Sequence, residues 1–321
     1  MMKVLSGDIG GTNCRLAIAK VTGRRVELER VARYRNEQFP DLESILADFL
    51  GADASSDSCC LAVAGPTDGR TVSFTNLDWS VEADTLAARF GFTRARLVND
   101  FAAVGWGLNG LGADDLAPLQ IGEAASEAPR VALGAGTGLG VSLCPWRGDH
   151  YHPLPSEGGH IGFAPANAEQ DRLLEFLRAR YGRASVERIL SGPGLVDLYR
   201  FLRADAGLTD TPLLNAAKPA EAISESGLEG RDTSAAQALR LFARIYGQTA
   251  GDLALAVRAT GGVFLAGGIA PKLLPILESG VFLEGFHAKG RFSDWMRGVP
   301  ISVITDPDIG LKGAALAASF A

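Results

Sequence analysis

The chain opens with two short apolar runs separated by a polar turn. Residues 3–7 and 14–19 read as strands, and 26–34 alternates apolar and polar positions, as in Val26-Glu27-Leu28-Glu29. Apolar residues at 42, 45, 46, 49 and 50 keep helical spacing, with Asp41 placed as the N-cap. Cys59-Cys60-Leu61-Ala62-Val63-Ala64 is a continuous apolar run stopped by Gly65-Pro66, as in a strand buried on both faces. Its expected hairpin partner, Thr71-Val72-Ser73-Phe74, runs on into Thr75-Asn76-Leu77-Asp78-Trp79. Residues 80–90 predict a helix opened by Ser80 and closed by Gly91. A strand follows at 94–98 and ends at Asn99-Asp100, and a helix of small residues occupies 101–108.

After a Gly, Ala and Glu-rich crossing at 110–130, the pattern restarts. The strand Arg130-Val131-Ala132-Leu133 enters Gly134-Ala135-Gly136-Thr137-Gly138-Leu139-Gly140, and Val141-Ser142-Leu143-Cys144 returns. This repeats the opening order of strand, Gly/Thr turn, strand. Gly262-Val263-Phe264-Leu265-Ala266-Gly267-Gly268 likewise echoes Ala62-Val63-Ala64-Gly65. The reading is a duplicated ββ-plus-α unit whose glycine loops face a shared cleft. Residues 168–259 are mainly helical, with a Pro/Gly-punctuated insertion near 207–233. A last strand at 301–304 precedes an Ala/Leu helix. The expected division is a small α/β domain, 1–109 plus 301–321, and a large α+β domain, 110–300.

Composition narrows the function classes. The 321 residues are 47% hydrophobic and 21% charged, ordinary for a globular chain, and the length exceeds the usual single domain. A net charge of −6 with no basic stripe argues against a nucleic-acid partner. Cys14, Cys59, Cys60 and Cys144 form no Cys-x-x-Cys pair, so buried thiols in a cytoplasmic protein are expected rather than a zinc ribbon. The apolar segments are short and interrupted by charge, so neither a membrane span nor a signal peptide is expected.

The candidate chemistry lies in Asp8-Ile9-Gly10-Gly11-Thr12. Glycines admit anionic oxygens close to backbone N–H groups, Thr12 adds a hydroxyl, and Asp8 can hold a hydrated Mg²⁺ bridging nucleotide phosphates. An ordinary hairpin turn is the competing reading of the pentapeptide alone. No Gly-x4-Gly-Lys-Ser/Thr motif is present, and the run from Gly134 lacks the Gly-x-Gly-x-x-Gly register. Three glycine loops remain, at 10–12, 134–140 and 267–268, each at the end of a strand.

Asp100 at a strand terminus suits a base that accepts a hydroxyl proton in phosphoryl transfer, and equally suits an N-cap of the helix after it. Glu157-Gly158-Gly159-His160 puts a carboxylate and an imidazole on a tight turn, where both could meet a polyhydroxyl ligand; alternatively His160 is a structural hydrogen-bonder. Glu187 reads first as dipole compensation in a helix opened by Ser185. His150 and His152 are spaced too loosely to claim a metal site.

Asp8-Ile9-Gly10-Gly11-Thr12-Asn13, Asn99-Asp100-Phe101, the 134–140 glycine run, Glu157-Gly158-Gly159-His160 and Glu187-Arg188-Ile189-Leu190-Ser191-Gly192-Pro193-Gly194 occur in this order. The set resembles the ATP-dependent bacterial glucokinase family, from residue 3 to the C-terminus. The resemblance implies an α/β, two-lobed actin/hexokinase-like (ribonuclease H-like) ATPase fold. It implies transfer of the ATP γ-phosphoryl to the 6-hydroxyl of D-glucose, the first step of glycolysis. Asn99, Asp100, Glu157, His160 and Glu187 would bind sugar hydroxyls, with Asp100 as catalytic base. Asp8, Gly10, Gly11, Thr12, Gly136, Thr137, Gly138, Gly267 and Gly268 would bind ATP, with Mg²⁺ at Asp8. The zinc motif of the related repressor/kinase group is missing, so zinc is not implied, and a homodimer is. The alternatives are a kinase for another hexose and a sugar sensor on the same fold. No helix-turn-helix precedes strand one, which weighs against the sensor.

Overall fold

The computed structural model describes residues 1–51, 56–65, 67–74 and 79–320. Pro66 and the 75–78 continuation of the expected hairpin lie outside the described residues. Five strands form the first sheet: β1 (Met2–Ile9), β2 (Asn13–Thr22), β3 (Arg25–Arg35), β4 (Ser58–Val63) and β5 (Arg94–Asn99), in the order β3-β2-β1-β4-β5. β1, β2 and β3 pair antiparallel in sequence, while β4 runs parallel to β1 and β5 parallel to β4. Ile9 is registered with Val63, and Val63 with Asn99, so the three parallel strands end abreast.

Period-two alternation sorts this sheet's side chains. Leu5, Ile9, Leu61, Val63 and Leu97 meet Leu42, Ile45, Leu46 and Phe49 of the helix Leu42–Leu50. Its apolar face and its Asp41 cap, which accepts the Ser44 N–H at 2.7 Å, are those the spacing predicts. Val4, Cys60, Ala62 and Val98 face the other way, toward Ala103, Trp106 and the alanine-rich helix Ile309–Ser319. A Cβ at Gly313 would lie 1.8 Å from the Ala103 carbonyl oxygen, so the C-terminal helix reaches the helix Asp100–Gly107 only because that position is glycine. All four cysteines are buried, and none is disulfide-bonded. Thr71–Ser73 pairs antiparallel with Ser80–Glu82 and not with β4, so the expected hairpin does not form and the helix expected at 80–90 starts at Ala83.

The second sheet contains β6 (Leu116–Gln120), β7 (Arg130–Ala135), β8 (Leu139–Cys144), β9 (Val263–Ala266) and β10 (Ile301–Ile304), in the order β8-β7-β9-β10-β6. β9 is parallel to both β7 and β10, and β6 closes the edge antiparallel to β10. The order β2-β1-β4-β5 therefore recurs as β8-β7-β9-β10. The turns 10–12 and 136–138 also match in length, as a duplication requires. Each copy adds a different edge strand. Four helices, Ala168–Tyr181, Gly192–Asp205, Pro219–Leu228 and Thr233–Val257, lie in sequence between β8 and β9. Tyr199, Phe242 and Tyr246 join Leu133 and Leu265 in that core.

By contacts, one compact unit is Met1–Asp115, Cys144–Pro155 and Asp306–Ala321, and the other is Leu116–Leu143 and Ser156–Thr305. Three expectations change. The 110–130 crossing carries a strand, β6. Residues 301–304 belong to the second sheet, because β10 is hydrogen-bonded between β9 and β6. Residues 144–155 join the first unit, where the buried Asn109 side chain bonds both the N–H and the carbonyl of Tyr151. Among the described residues no helix is long and apolar enough to cross a membrane.

Gly313→Val puts a branched side chain against a backbone carbonyl with no room to yield. Overpacking of this kind costs at least about 1–3 kcal/mol. A fall of several degrees in Tm by calorimetry is expected, and an unchanged Tm would refute the close-packing account.

Candidate active site

In the first unit the sequence-predicted residues gather at the carboxyl edge of the parallel strands, where ligands bind in open α/β sheets. Asp8, Gly10, Gly11 and Thr12 close β1, and Asn99 and Asp100 close β5. Asn99 caps the helix Asp100–Gly107, its Oδ1 accepting the N–H groups of Phe101 and Ala102 at 2.9 and 3.1 Å. The N-cap is therefore Asn99, with Asp100 as the first helical residue, although Asp100 Oδ1 also accepts the Phe101 N–H at 2.7 Å.

The 10–12 turn is held by a residue that the sequence reading passed over. Asn36, buried at 1% exposure, donates from Nδ2 to the Gly10 carbonyl at 2.8 Å, and its backbone N–H donates to the Thr12 carbonyl. No spacing signal marks Asn36, because its partners come from a distant part of the chain. The Gly10 N–H is used internally, on the Asn13 carbonyl. Gly10 therefore shapes the turn, and Gly11 and Thr12 are the positions left to meet a ligand.

Burial raises the Asp8 carboxyl pKa, and the nearby Arg15 charge opposes the rise. Arg15 is itself ion-paired with Asp308 and donates to the Pro307 carbonyl. Among the described residues no cluster of three or more His, Cys, Asp or Glu side chains could hold a metal. A Mg²⁺ carried by phosphates needs only one or two carboxylates and keeps its waters, and the single carboxylate at the end of β1 fits that case.

In the second unit two turns and two glycine loops come together. Gly134 is registered with Ala266, so the 136–138 and 267–268 loops leave the sheet at one edge. Gly267 adopts φ +79°, and a Cβ there would lie 2.6 Å from the Ala135 carbonyl, which accepts the Ile269 N–H at 3.2 Å. The Gly136 N–H donates to the Gly138 carbonyl, so this turn too is closed internally, one residue tighter than the first. Gly136, Thr137 and Gly268 line a cavity of about 930 Å³ with Pro193, Val196, Leu228 and Leu273, rimmed by Lys218, Glu221 and Lys272. Glu221 pairs with both lysines, at 3.0 Å for Lys218 and 3.5 Å for Lys272. The sequence reading named Gly136, Thr137 and Gly268 but missed the apolar wall and the charged rim. Only Ser191-Gly192-Pro193-Gly194 carried a helix-start signal, and Ser191 does cap the helix by accepting the Gly194 N–H.

Glu187 sits on a single 3₁₀ turn, Val186–Arg188, and its carboxylate Oε2 accepts the Leu139 N–H at 2.9 Å. The dipole reading is corrected, because the charge serves a backbone donor outside its own turn. His160 Nδ1 lies 3.9 Å from Glu187 Oε1, and both His160 and Glu157 are exposed on the turn 157–160. Gly159 presses that turn onto β8, since a Cβ there would stand 2.1 Å from the Leu139 carbonyl. Glu157, His160 and Glu187 are thus brought together beside the 136–138 loop. His150 and His152 have a packing role, in contact with the Trp106 ring.

Comparison with known proteins places this arrangement. The sequence model described as Glucokinase matches residues 5–320. A glucokinase of Nostoc sp. is 38% identical over an alignment 341 positions long, gaps included, covering 99% of each chain. The crystal structure of a glucokinase from an Antarctic psychrotroph superposes with a TM-score of 0.90 at 31% identity, covering 100% of both chains. A glucokinase from Balamuthia mandrillaris, solved in complex with glucose, gives a TM-score of 0.80 at 25% identity, over 99% of this chain and 94% of that one. The duplicated sheets are those of the actin/hexokinase-like ATPase fold, and the chain belongs to the glucokinase family.

Proposed function

We propose that this protein is a glucokinase, transferring the γ-phosphoryl of ATP to the 6-hydroxyl of D-glucose. The observation that carries the reading is the placement of Asp100 at the carboxyl end of β5, as the first residue of the helix that Asn99 caps. Full-length similarity to glucokinases, one of them solved with glucose, supports the sugar.

In this reading Asn99, Glu157, His160 and Glu187 hold the ring hydroxyls and aim the 6-hydroxyl at the donor. Phosphoryl transfer asks the protein mainly for alignment and charge stabilisation. The sugar oxygen bonds the γ-phosphorus, the bond to the β-bridging oxygen breaks, and ADP leaves. The hydroxyl proton passes to an Asp100 carboxylate oxygen. Backbone N–H groups at Gly11, Thr12, Thr137 and Gly138 meet the phosphates, and the cavity beside Gly268 takes the nucleoside. Asp8 is the residue that would hold Mg²⁺, whose charge neutralises the phosphate oxygens when it is bound. Four buried thiols without a disulfide fit a cytoplasmic site of action.

Three outcomes test the reading. A coupled assay of ADP release should show turnover with glucose exceeding that with mannose, fructose or N-acetylated hexoses. Sugar-independent ADP release alone would overturn it. Asp100→Ala should lower kcat by roughly a hundredfold to ten-thousandfold, the range for a lost general base, with a far smaller change in glucose affinity. Near-normal turnover would remove Asp100 from that role.

Asp8→Asn should be less active yet more heat-stable at neutral pH. A carboxyl whose folded pKa is raised costs stability while ionised, so the variant's Tm advantage should be present at pH 7. It should vanish as pH falls through the titration of Asp8. An advantage that grew at low pH would contradict the burial effect.

A further inference from the structure

Leu139 is the first residue after the 136–138 glycine loop, and both turns bearing the sugar-contact residues rest on it. Its N–H donates to Glu187 Oε2 at 2.9 Å, and Gly159 of the 157–160 turn packs directly against its carbonyl. The loop and the Glu187 turn are joined a second time. The Gly192 N–H donates to the Gly136 carbonyl at 2.8 Å, and Ser191 Oγ donates to the Glu187 carbonyl at 2.8 Å. A Cβ at Gly138 would fall 2.5 Å from Glu187 Oε2, so the carboxylate lies directly against the loop. The other oxygen, Oε1, is the one on the His160 side.

We propose that Glu187 is a strut shared by the two substrates: one carboxylate oxygen sets the phosphate loop while the other takes a sugar hydroxyl. Sugar and nucleotide then bind with positive coupling inside this one unit. A sugar hydroxyl that fixes the carboxylate also fixes the Leu139 N–H and the loop before it. A nucleotide that orders the loop returns the effect to the sugar, because coupling free energies are reciprocal. The inference rests on the glucokinase reading for the two ligands and goes beyond it in assigning Glu187 a positioning role toward ATP.

The test uses Gly138→Ala. The added methyl has only the end of the Glu187 side chain to displace, so the fold should survive, which circular dichroism and Tm will check. Glucose affinity is measured calorimetrically with no nucleotide present. It should weaken about fivefold or more, within the range of allosteric couplings, although Gly138 has no assigned sugar contact. Glu187→Leu, which is similar in size but has no acceptor for the Leu139 N–H, should in turn weaken binding of a non-hydrolysable ATP analogue measured without sugar. Wild-type protein should bind that analogue more tightly when glucose is present.

If Gly138→Ala leaves sugar affinity unchanged and Glu187→Leu leaves nucleotide affinity unchanged, the strut is refuted while glucose phosphorylation by the wild type stands. If the wild type binds no glucose at all, it is the functional reading that fails. The cross-effects are the decisive readout, because a residue serving one substrate alone would shift only that substrate's affinity.

Discussion

Parallel pairing is the constraint on which the rest of this protein depends. Two strands that run parallel in register must finish on the same side of their sheet. Ile9, Val63 and Asn99 are therefore neighbours although far apart in the chain. Gly134 and Ala266 stand in the same relation in the second sheet. Every predicted phosphate-binding residue lies at or just after one of these strand ends, and so do Asn99 and Asp100. Side chains and amides at that edge need no loop of special length to meet, because the hydrogen-bond ladder has already aligned them.

Glycine then decides what the aligned ends can do. At Gly267, Gly159 and Gly138 a methyl group would collide with a carbonyl or a carboxylate, so these positions carry close approaches as well as bends. The consequence at Leu139 is economical. One residue's amide and carbonyl meet two separate turns, and the His160 and Glu187 side chains on those turns come to lie beside the 136–138 loop. Asp8 illustrates the opposing pressure, since burial disfavours its charge and Arg15 offsets that only in part. A carboxyl whose charge burial disfavours weakens the fold wherever it is ionised.

Local features of the chain were legible. The apolar spacing at 42–50, the strand-turn-strand repeats and the continuous run at 59–63 all appear as the patterns predict, because each depends on neighbours a few residues away. The departures share one cause. Ser80–Glu82 is a strand, 116–120 is a strand, and 301–304 belongs to the second sheet, in each case because a partner strand elsewhere supplies the hydrogen bonds. Local propensity does not encode which strand that will be.

The site divides along the same line. Residue types and their order, from Asp8 through Asn99-Asp100 to Glu187, were enough to mark the candidates and the family they resemble, because phosphate and sugar recognition demands those groups. Their division of labour was open. Whether Asp100 or Asn99 caps the helix, and whether Glu187 answers its own turn or the Leu139 amide, depends on where backbone donors point once the sheets have formed. Asn36 carried no signal at all until folding set it beside the first glycine turn. The sequence by itself determined the chemistry available and the elements that carry it. Only the tertiary structure decided which polar group satisfies which, since a hydrogen bond is chosen by proximity and direction, and long-range pairing sets both.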